Sequence, residues 1–350
     1  MQRITAPTLT QFVLDVLTQC GVSNADAETT AEVLVSTDSW GIFTHGTKAL
    51  CGYAKRLRAG GLNPKGRPFI EREGPAWALV NGDASIGMVT SVFAMKSAIE
   101  KARISGVAVV TVRNSCHFGA AGYYVHLAAQ EKMIGLAMAN DIPSVAAPGS
   151  KGPVLGSNPF AFGAPGGVYP PIMLDISTAI VAGGKVRNTM AEGRPIPSDW
   201  LVDSEGLPTT DGNLYPLHAS LNPMAGHKGY GLALMIEILS GVLSGAGVRD
   251  DIPYWNTGDI SRPTNHGHAF LVIDPAIITG GKRFPDDITS LFRGIKEVPV
   301  RSEVGELKIP GEIESNKAEQ ALKEGIPFPD DVWESLKEAA QDAAVAPPGY

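Results

Sequence analysis

Two histidines stand in glycine-flanked settings that suit proton transfer. One lies in Thr44-His45-Gly46, where an amphipathic helical pattern runs out. The other lies in Asn114-Ser115-Cys116-His117-Phe118-Gly119, just past an apolar run that reads as a strand. An imidazole titrates near pH 6.5, so it can take a proton and return it around neutrality. A strand end running into a Gly-rich turn is where α/β proteins place such groups. The chain has seven His, and the others have weaker contexts. His266-Gly267-His268 has the i, i+2 spacing that sets two rings on one side of a strand and could ligate a metal. No third ligand is suggested near it, so no metal is expected. Cys116 could be a nucleophile beside His117, although a small buried residue at a strand end is the plainer reading.

Three segments could cradle an anion or a dinucleotide. Gly156-Ser157-Asn158-Pro159 is a tight turn between apolar stretches. Asp175-Ile176-Ser177-Thr178 closes a strand. Gly226-His227-Lys228-Gly229-Tyr230-Gly231 opens a long apolar helix, where free N–H groups and the helix dipole favour negative charge. Each also has an ordinary role, as a cap for Asp175 and Ser177 or as a surface charge for Lys228. The chain has no GxGxxG after a strand and no GxxxxGK[ST]. A bound dinucleotide would therefore need a cradle of another kind.

The elements that must position these groups alternate in type. Thr8 reads as an N-cap, with Gln11 completing a capping box. Phe12, Val13, Val16, Leu17 and Cys20 form one stripe, and Gly21 stops that helix. A second helix starts near Asn24 and runs out near Gly41. Leu57 to Pro75 is rich in Gly, Pro and Arg and reads as a boundary. Strands follow at Trp77 to Val80, Val107 to Val112, Ile134 to Ala139, Phe160 to Phe162, Ile172 to Leu174 and Ala269 to Ile273. Helices are expected at Ile86 to Arg103 and Ala120 to Glu131. The short link between the strands at 160 and 172 implies an antiparallel pair, so the sheet is mixed. From Asp286 the pattern is helical again, and Asp330 to Ala344 looks like a closing helix. The expected fold is α+β, with a mixed, largely antiparallel sheet in 76–285 and a discontinuous helical domain from 1–75 and 286–350.

The 350 residues include 44% hydrophobic and 19% charged, enough for a sizeable core. The net charge is −7 without a Lys/Arg cluster, which argues against nucleic acid or an anionic membrane as partner. Cys20, Cys51 and Cys116 form no disulfide framework and fit a reducing, cytoplasmic setting. Gly229 to Gly247 is apolar enough to raise a membrane-spanning reading, but Glu237 in its middle favours a buried or interface helix. No signal peptide is visible at the start.

Taken in order, these segments resemble the malate/L-lactate dehydrogenase family, whose members lack a Rossmann fold. The likeness is carried by Gly41-Ile42-Phe43-Thr44-His45-Gly46, Arg113 to Tyr124, Gly156 to Pro159, Leu174 to Thr178, Pro208-Thr209-Thr210-Asp211, Lys228 to Gly231 and Pro310-Gly311-Glu312. It implies a homodimer with a non-Rossmann domain that binds NAD or NADP, and hydride exchange between the nicotinamide and a small 2-hydroxy or 2-keto acid. A cyclic imino acid is the alternative substrate. By position, His45 and His117 fall on the family's catalytic histidines, and Thr44, Lys48 and Tyr53 fall beside the substrate. The implied cofactor contacts are Asp141, Asn158, Asp175, Ile176, Ser177, His227, Lys228, Gly229, Pro310, Gly311 and Glu312. The family usually has Arg four residues after the first His, where it can fork onto a carboxylate; here that residue is Ala49. Two rivals are a metal-dependent hydrolase built on His266 and His268, and a fold relative that binds cofactor without turnover.

Overall fold

The structure is a computed structural model describing residues 2–349 except Asn256 and Lys282. Its centre is a seven-stranded sheet in the order Phe69–Gly74, Trp77–Asn81, Val107–Ser115, His266–Ile273, Ile134–Ala139, Phe160–Ala164, Ile172–Ile176. Only Trp77–Asn81 and Val107–Ser115 pair in parallel, and the helix Gly87–Ser105 makes the crossover between them. The other five pairings are antiparallel. Ala108, Val110 and Val112 are fully buried, as expected of a central strand covered by that helix. The mixed, mostly antiparallel sheet expected from the sequence is therefore present, and the pair at 160 and 172 is antiparallel.

A smaller five-stranded sheet joins Pro208–Thr209, Leu201–Asp203, Ala219–Leu221, Val145–Ala146 and Pro153–Leu155. At the chain ends, Gln2–Ile4 pairs antiparallel with Ile326–Phe328, and the helix Asp330–Ala343 packs on the helix Leu50–Ala59. Both ends thus meet around the segment that carries His45.

Local details depart from the sequence reading in three places. The first helix starts at Ala6, capped by Thr5, whose Oγ1 accepts from the Thr8 N–H. Pro7 lies in the first turn. Proline pre-sets φ for a first turn, so the helix begins earlier than a cap at Thr8 would allow. Gln11 bonds to Asp15 one turn on and closes no capping box. The stretch read as a boundary ends in the edge strand Phe69–Gly74. The long apolar stretch is an α-helix only over His227–Glu237, followed by a π-helical turn at Ile238–Val242. That turn packs against the central sheet: a Cβ on Gly267 would lie 1.9 Å from the Ser240 carbonyl oxygen. Among the described residues no helix is long and apolar enough to cross a membrane.

Candidate active site

The segment carrying His45 hangs between two helices. Asn24–Ser39 begins at a Ser23 cap and presents Ala27, Ala31, Leu34 and Asp38 to the interior. Its end leads through short 3-10 turns, Phe43–His45 and Thr47–Ala49, into Leu50–Ala59. The buried carboxyl of Asp38 ties this connection down. Its Oδ2 accepts from the Thr47 N–H at 3.0 Å and from Thr47 Oγ1 at 2.5 Å. Gly46 is required by close approach, since a Cβ there would lie 1.8 Å from Asp38 Oδ1. Burial pushes the Asp38 carboxyl up to about 7, against the pull of the Thr47 bonds.

One turn into Leu50–Ala59, the fully buried Tyr53 reaches the second histidine. His117 follows the strand Val107–Ser115, and Tyr53 Oη lies 2.6 Å from His117 Nδ1. Burial raises the phenol well above its usual range, so it stays protonated and donates to Nδ1. A neutral His117 then carries its proton on Nε2. Burial, and next the neighbouring His45, push His117 down to about 3. The His45 and His117 rings stack with centroids 5.7 Å apart. Two distant parts of the chain thus bring these imidazoles together in a single subunit.

Trp255 stacks on His117, its ring 4.4 Å away and 6° from parallel. The fully buried Arg56 fixes this loop. Its Nη1 donates to the carbonyls of Trp255 at 3.0 Å and Tyr254 at 3.4 Å, and its Nη2 donates to that of Arg262.

His45 Nδ1 is 2.9 Å from Thr44 Oγ1, which leaves Nε2 free. Burial lowers His45, and the carboxylate of Asp141 acts in the opposite direction. Burial would raise Asp141, but its bond with His266 Nε2 (3.2 Å) and its closeness to the His266 and His117 imidazoles hold it below the usual carboxylate range. His266 Nδ1 faces Thr264 Oγ1 at 2.7 Å, whereas His268 Nε2 faces Ser115 Oγ at 2.9 Å. A bulge between the two histidines breaks the expected i, i+2 alignment. Among the described residues neither joins a group that could hold a metal. The grouping of that kind is Cys51, Glu338 and Asp342, mostly exposed and outside the histidine cluster.

The expected cofactor residues fall in several places. Asp175, Pro310 and Gly311 line one cavity of about 300 Å³ with Ile42, Lys308 and Glu314. The Met173 N–H bonds the Pro310 carbonyl at 3.0 Å. Gly311 has φ +98°, and a Cβ there would lie 2.7 Å from Met173 N. Gly311 thus lets the 310–312 loop seat closely against the strand end at Met173, and the cavity beside it offers the Asp175 carboxyl and the Lys308 ammonium to a polar ligand. Burial raises Asp175 to about 6, although its Oδ2 accepts from the Gly122 N–H at 2.7 Å. Glu312 holds the loop shut from behind, through Lys296 at 2.8 Å and the Ile309 N–H at 2.9 Å. Ile176 ends its strand, and Ser177 Oγ donates to the Ser157 carbonyl at 3.1 Å and accepts from the Ala179 N–H at 3.0 Å. Asn158 is fully buried behind Asp141, whose N–H it accepts at 3.1 Å. His227 and Lys228 lie on the exposed first turn of His227–Glu237, while Gly229 is buried against Met224. Lys48 is drawn away from the cluster into an ion pair with Asp331.

Residues 4–337 match the family model described as malate/L-lactate dehydrogenase. The chain belongs to that family. It is accordingly a dehydrogenase of the hydroxy-acid class. It is 37% identical to the malate dehydrogenase of Pyrococcus horikoshii over 350 residues, covering 98% of this chain and 96% of the relative. It is 35% identical to the ureidoglycolate dehydrogenase (NAD(+)) of Escherichia coli O157:H7, covering 95% of each. Its fold superposes on the sulfolactate dehydrogenase of Methanocaldococcus jannaschii with a TM-score of 0.91, at 34% identity, over 100% of this chain and 99% of that one.

Sequence reasoning missed Asp38, Arg56 and Trp255. Asp38 did leave a signal, because it continues the apolar spacing of Ala31 and Leu34 as a charged residue on a buried face. Trp255 left none, since it reaches His117 only through the loop that Arg56 clamps.

Proposed function

We propose that this chain is an NAD-type dehydrogenase that interconverts a 2-hydroxy acid and its 2-keto acid, with His45 and His117 flanking the reacting oxygen. The paired imidazoles carry this reading. A nicotinamide held beside Asp175, Pro310 and Gly311 would supply the hydride chemistry at the carbinol carbon in either direction, and the chain's own residues handle the proton. The hydroxyl proton leaves to Nε2 of His45, whose Nδ1–H is oriented by Thr44. His117 is too poor a base to compete for that proton, so its Nε2–H donates to the same oxygen and polarises the carbonyl in the reverse direction. Tyr53 fixes that tautomer. Two positive rings this close would repel; Asp141 acts on both, so it is the weaker basicity of the more strongly depressed His117 that leaves the proton on His45. The cavity at Asp175, Pro310 and Gly311 supports a cofactor on this side of the fold, and Ile176, Ser177 and the 227–229 turn extend its expected contacts. Lys48 is left out of the substrate contacts because Asp331 holds it.

The finer readings are that the cofactor is NAD or NADP, that the chain works as a homodimer and that it resides in the cytoplasm. Exposed apolar side chains at Met235, Ile238, Val242 and Leu243 support a second copy covering that helix. The three free cysteines suit a reducing compartment. The chain-end contacts support dividing it into a helical unit from 1–75 and 286–350 and a cofactor unit from 76–285.

The test is to titrate NADH and NADPH by fluorescence, then follow nicotinamide absorbance with a panel of 2-hydroxy and 2-keto acids. Turnover is expected in the wild type and a loss of at least 100-fold in His45→Ala and His117→Ala. Cofactor binding without turnover on any member of the panel would overturn the catalytic reading. So would wild-type rates in both variants.

A further inference from the structure

A 2-hydroxy acid brings a carboxylate into the cleft, and that charge needs a cation or several N–H donors once water is displaced. Ala49 is buried and offers none. The cations near the histidines are mostly committed. Lys48 pairs with Asp331, Arg56 spends its Nη donors on three carbonyls, and Arg113 is engaged by Glu71.

The helix Gly183–Ala191 supplies the exception. A Cβ on Gly184 would lie 3.7 Å from Thr44 Cγ2, and one on Gly183 would lie 2.3 Å from Tyr215 Oη. The first turn of this helix therefore sits against the residue that precedes His45. Arg187 follows Gly184 by three residues and Gly183 by four, so all three share one helix face. Arg187 is exposed and has no carboxylate within 4 Å among the described residues. Its charge reaches the Tyr215 phenol, which also feels Asp141. Lys185, two positions earlier, lies over the Trp200 ring instead.

From this geometry we infer that Arg187 is the residue that binds the substrate carboxylate, reaching across Gly183 and Gly184 toward Thr44 while His45 and His117 hold the reacting oxygen. Gly183 makes room for the Tyr215 hydroxyl and Gly184 lets the helix start close to Thr44, which brings the Arg187 guanidinium within reach of the cleft to fork onto both carboxylate oxygens. The inference rests on the hydroxy-acid reading above. It gives the substrate a fixed order: the carboxylate toward Gly183–Ala191, the C2 oxygen between the imidazoles, and the remaining substituent toward Trp255.

The test is steady-state kinetics of wild type, Arg187→Gln, Arg187→Lys and Arg262→Gln, on the best hydroxy acid found in the panel and on its methyl ester. Arg187→Gln is expected to raise KM for the acid at least 30-fold, with kcat and the NADH dissociation constant within three-fold of wild type. Arg187→Lys recovers only part of this loss, because an ammonium lacks the fork. The wild type prefers the acid over its ester, and Arg187→Gln abolishes that preference. An unchanged acid KM in Arg187→Gln overturns the inference, as does a loss that appears in cofactor affinity or in Arg262→Gln instead. Failure of the wild type to turn over any hydroxy acid would be a failure of the functional reading, which this comparison separates from a failure of Arg187.

Discussion

The hydroxyl of Tyr53 and Nδ1 of His117, two residues 64 positions apart in sequence, lie 2.6 Å apart where the helix Leu50–Ala59 meets the turn after the strand Val107–Ser115. On the proposed mechanism this bond decides which nitrogen of His117 is turned to the substrate. Tyr53→Phe removes the donor and leaves Nδ1 unsatisfied next to a buried ring. The expected result is a 10- to 100-fold fall in kcat, roughly the range of a misplaced acid–base partner, with cofactor affinity unchanged. A rate within two-fold of wild type would show that the tautomer is set elsewhere.

Asp141 faces both histidines electrostatically, and removing its charge should move the pH profile. The acid limb of the oxidation follows protonation of His45, the group that must be neutral to accept a proton. Burial holds that group below 6.5, while Asp141 works to raise it. In Asp141→Asn the His45 pKa falls further. The acid limb then moves to lower pH, and keto-acid reduction near pH 7 slows because less of the required imidazolium is present. Profiles of kcat/KM in both directions check this, and an unmoved limb would disconnect Asp141 from His45.

Asp38 gives a stability prediction with a definite sign. Unfolded, its carboxyl titrates near 3.9; folded, burial places it at about 7. The native state therefore binds more protons between those values, and this residue's contribution to stability is lost as pH rises from about 4 to about 7. Asp38→Asn keeps an acceptor for Thr47 and has no charge to bury. Its melting temperature relative to wild type should climb across that interval and level off above it. A constant difference at all pH values would mean that Asp38 is not the titrating group.

Glu237 was the residue that spoke against a membrane-spanning reading, and the structure gives it a specific task. Its carboxylate accepts from Asn158 Nδ2 at 2.9 Å, Asn140 Nδ2 at 3.3 Å and the Arg249 N–H at 3.0 Å. All these partners are donors. Glu237→Gln would turn an amide NH2 toward at least one of them, at a cost of about 1–3 kcal/mol. Because Asn158 also accepts from the Asp141 N–H, activity should fall together with stability. Denaturant unfolding with parallel assays tests this, and loss of neither would remove the network from the site.

Much of this arrangement could be read in the residue order because it rests on local rules. Val107 to Val112 announces a buried strand by continuous apolar composition, and His117 follows from the turn after it. His45 follows from a helix whose spacing ends at Gly41. Long-range geometry was not readable in this way. The bulge at Gly267, which sends His266 toward Asp141 and His268 toward Ser115, has no local signature beyond the glycine. The clamp of Arg56 on the carbonyls at 254, 255 and 262 joins residues about 200 positions apart. Lys48 was placed beside the substrate by the family resemblance alone, and its ion pair with Asp331 depends on the closing helix returning to the first helices.

The helix that follows Lys228 makes the last prediction. Met235, Ile238 and Val242 recur at spacings of three and four and are exposed at 38, 48 and 62%, so they form one uncovered stripe. An apolar stripe left in water is costly, and a second copy of the same surface related by a two-fold axis would cover it. The opposite face of the same helix carries Ala233 and Glu237, which bond Asn158 behind Asp141. Disrupting the stripe should therefore loosen the site from behind. Ile238→Glu combined with Val242→Glu is expected to give a monomer by sedimentation velocity, with kcat reduced about ten-fold or more and far-UV circular dichroism retained. A wild-type chain that already sediments as a monomer would refute the dimer, and a dimer that survives both glutamates would place its interface on another face.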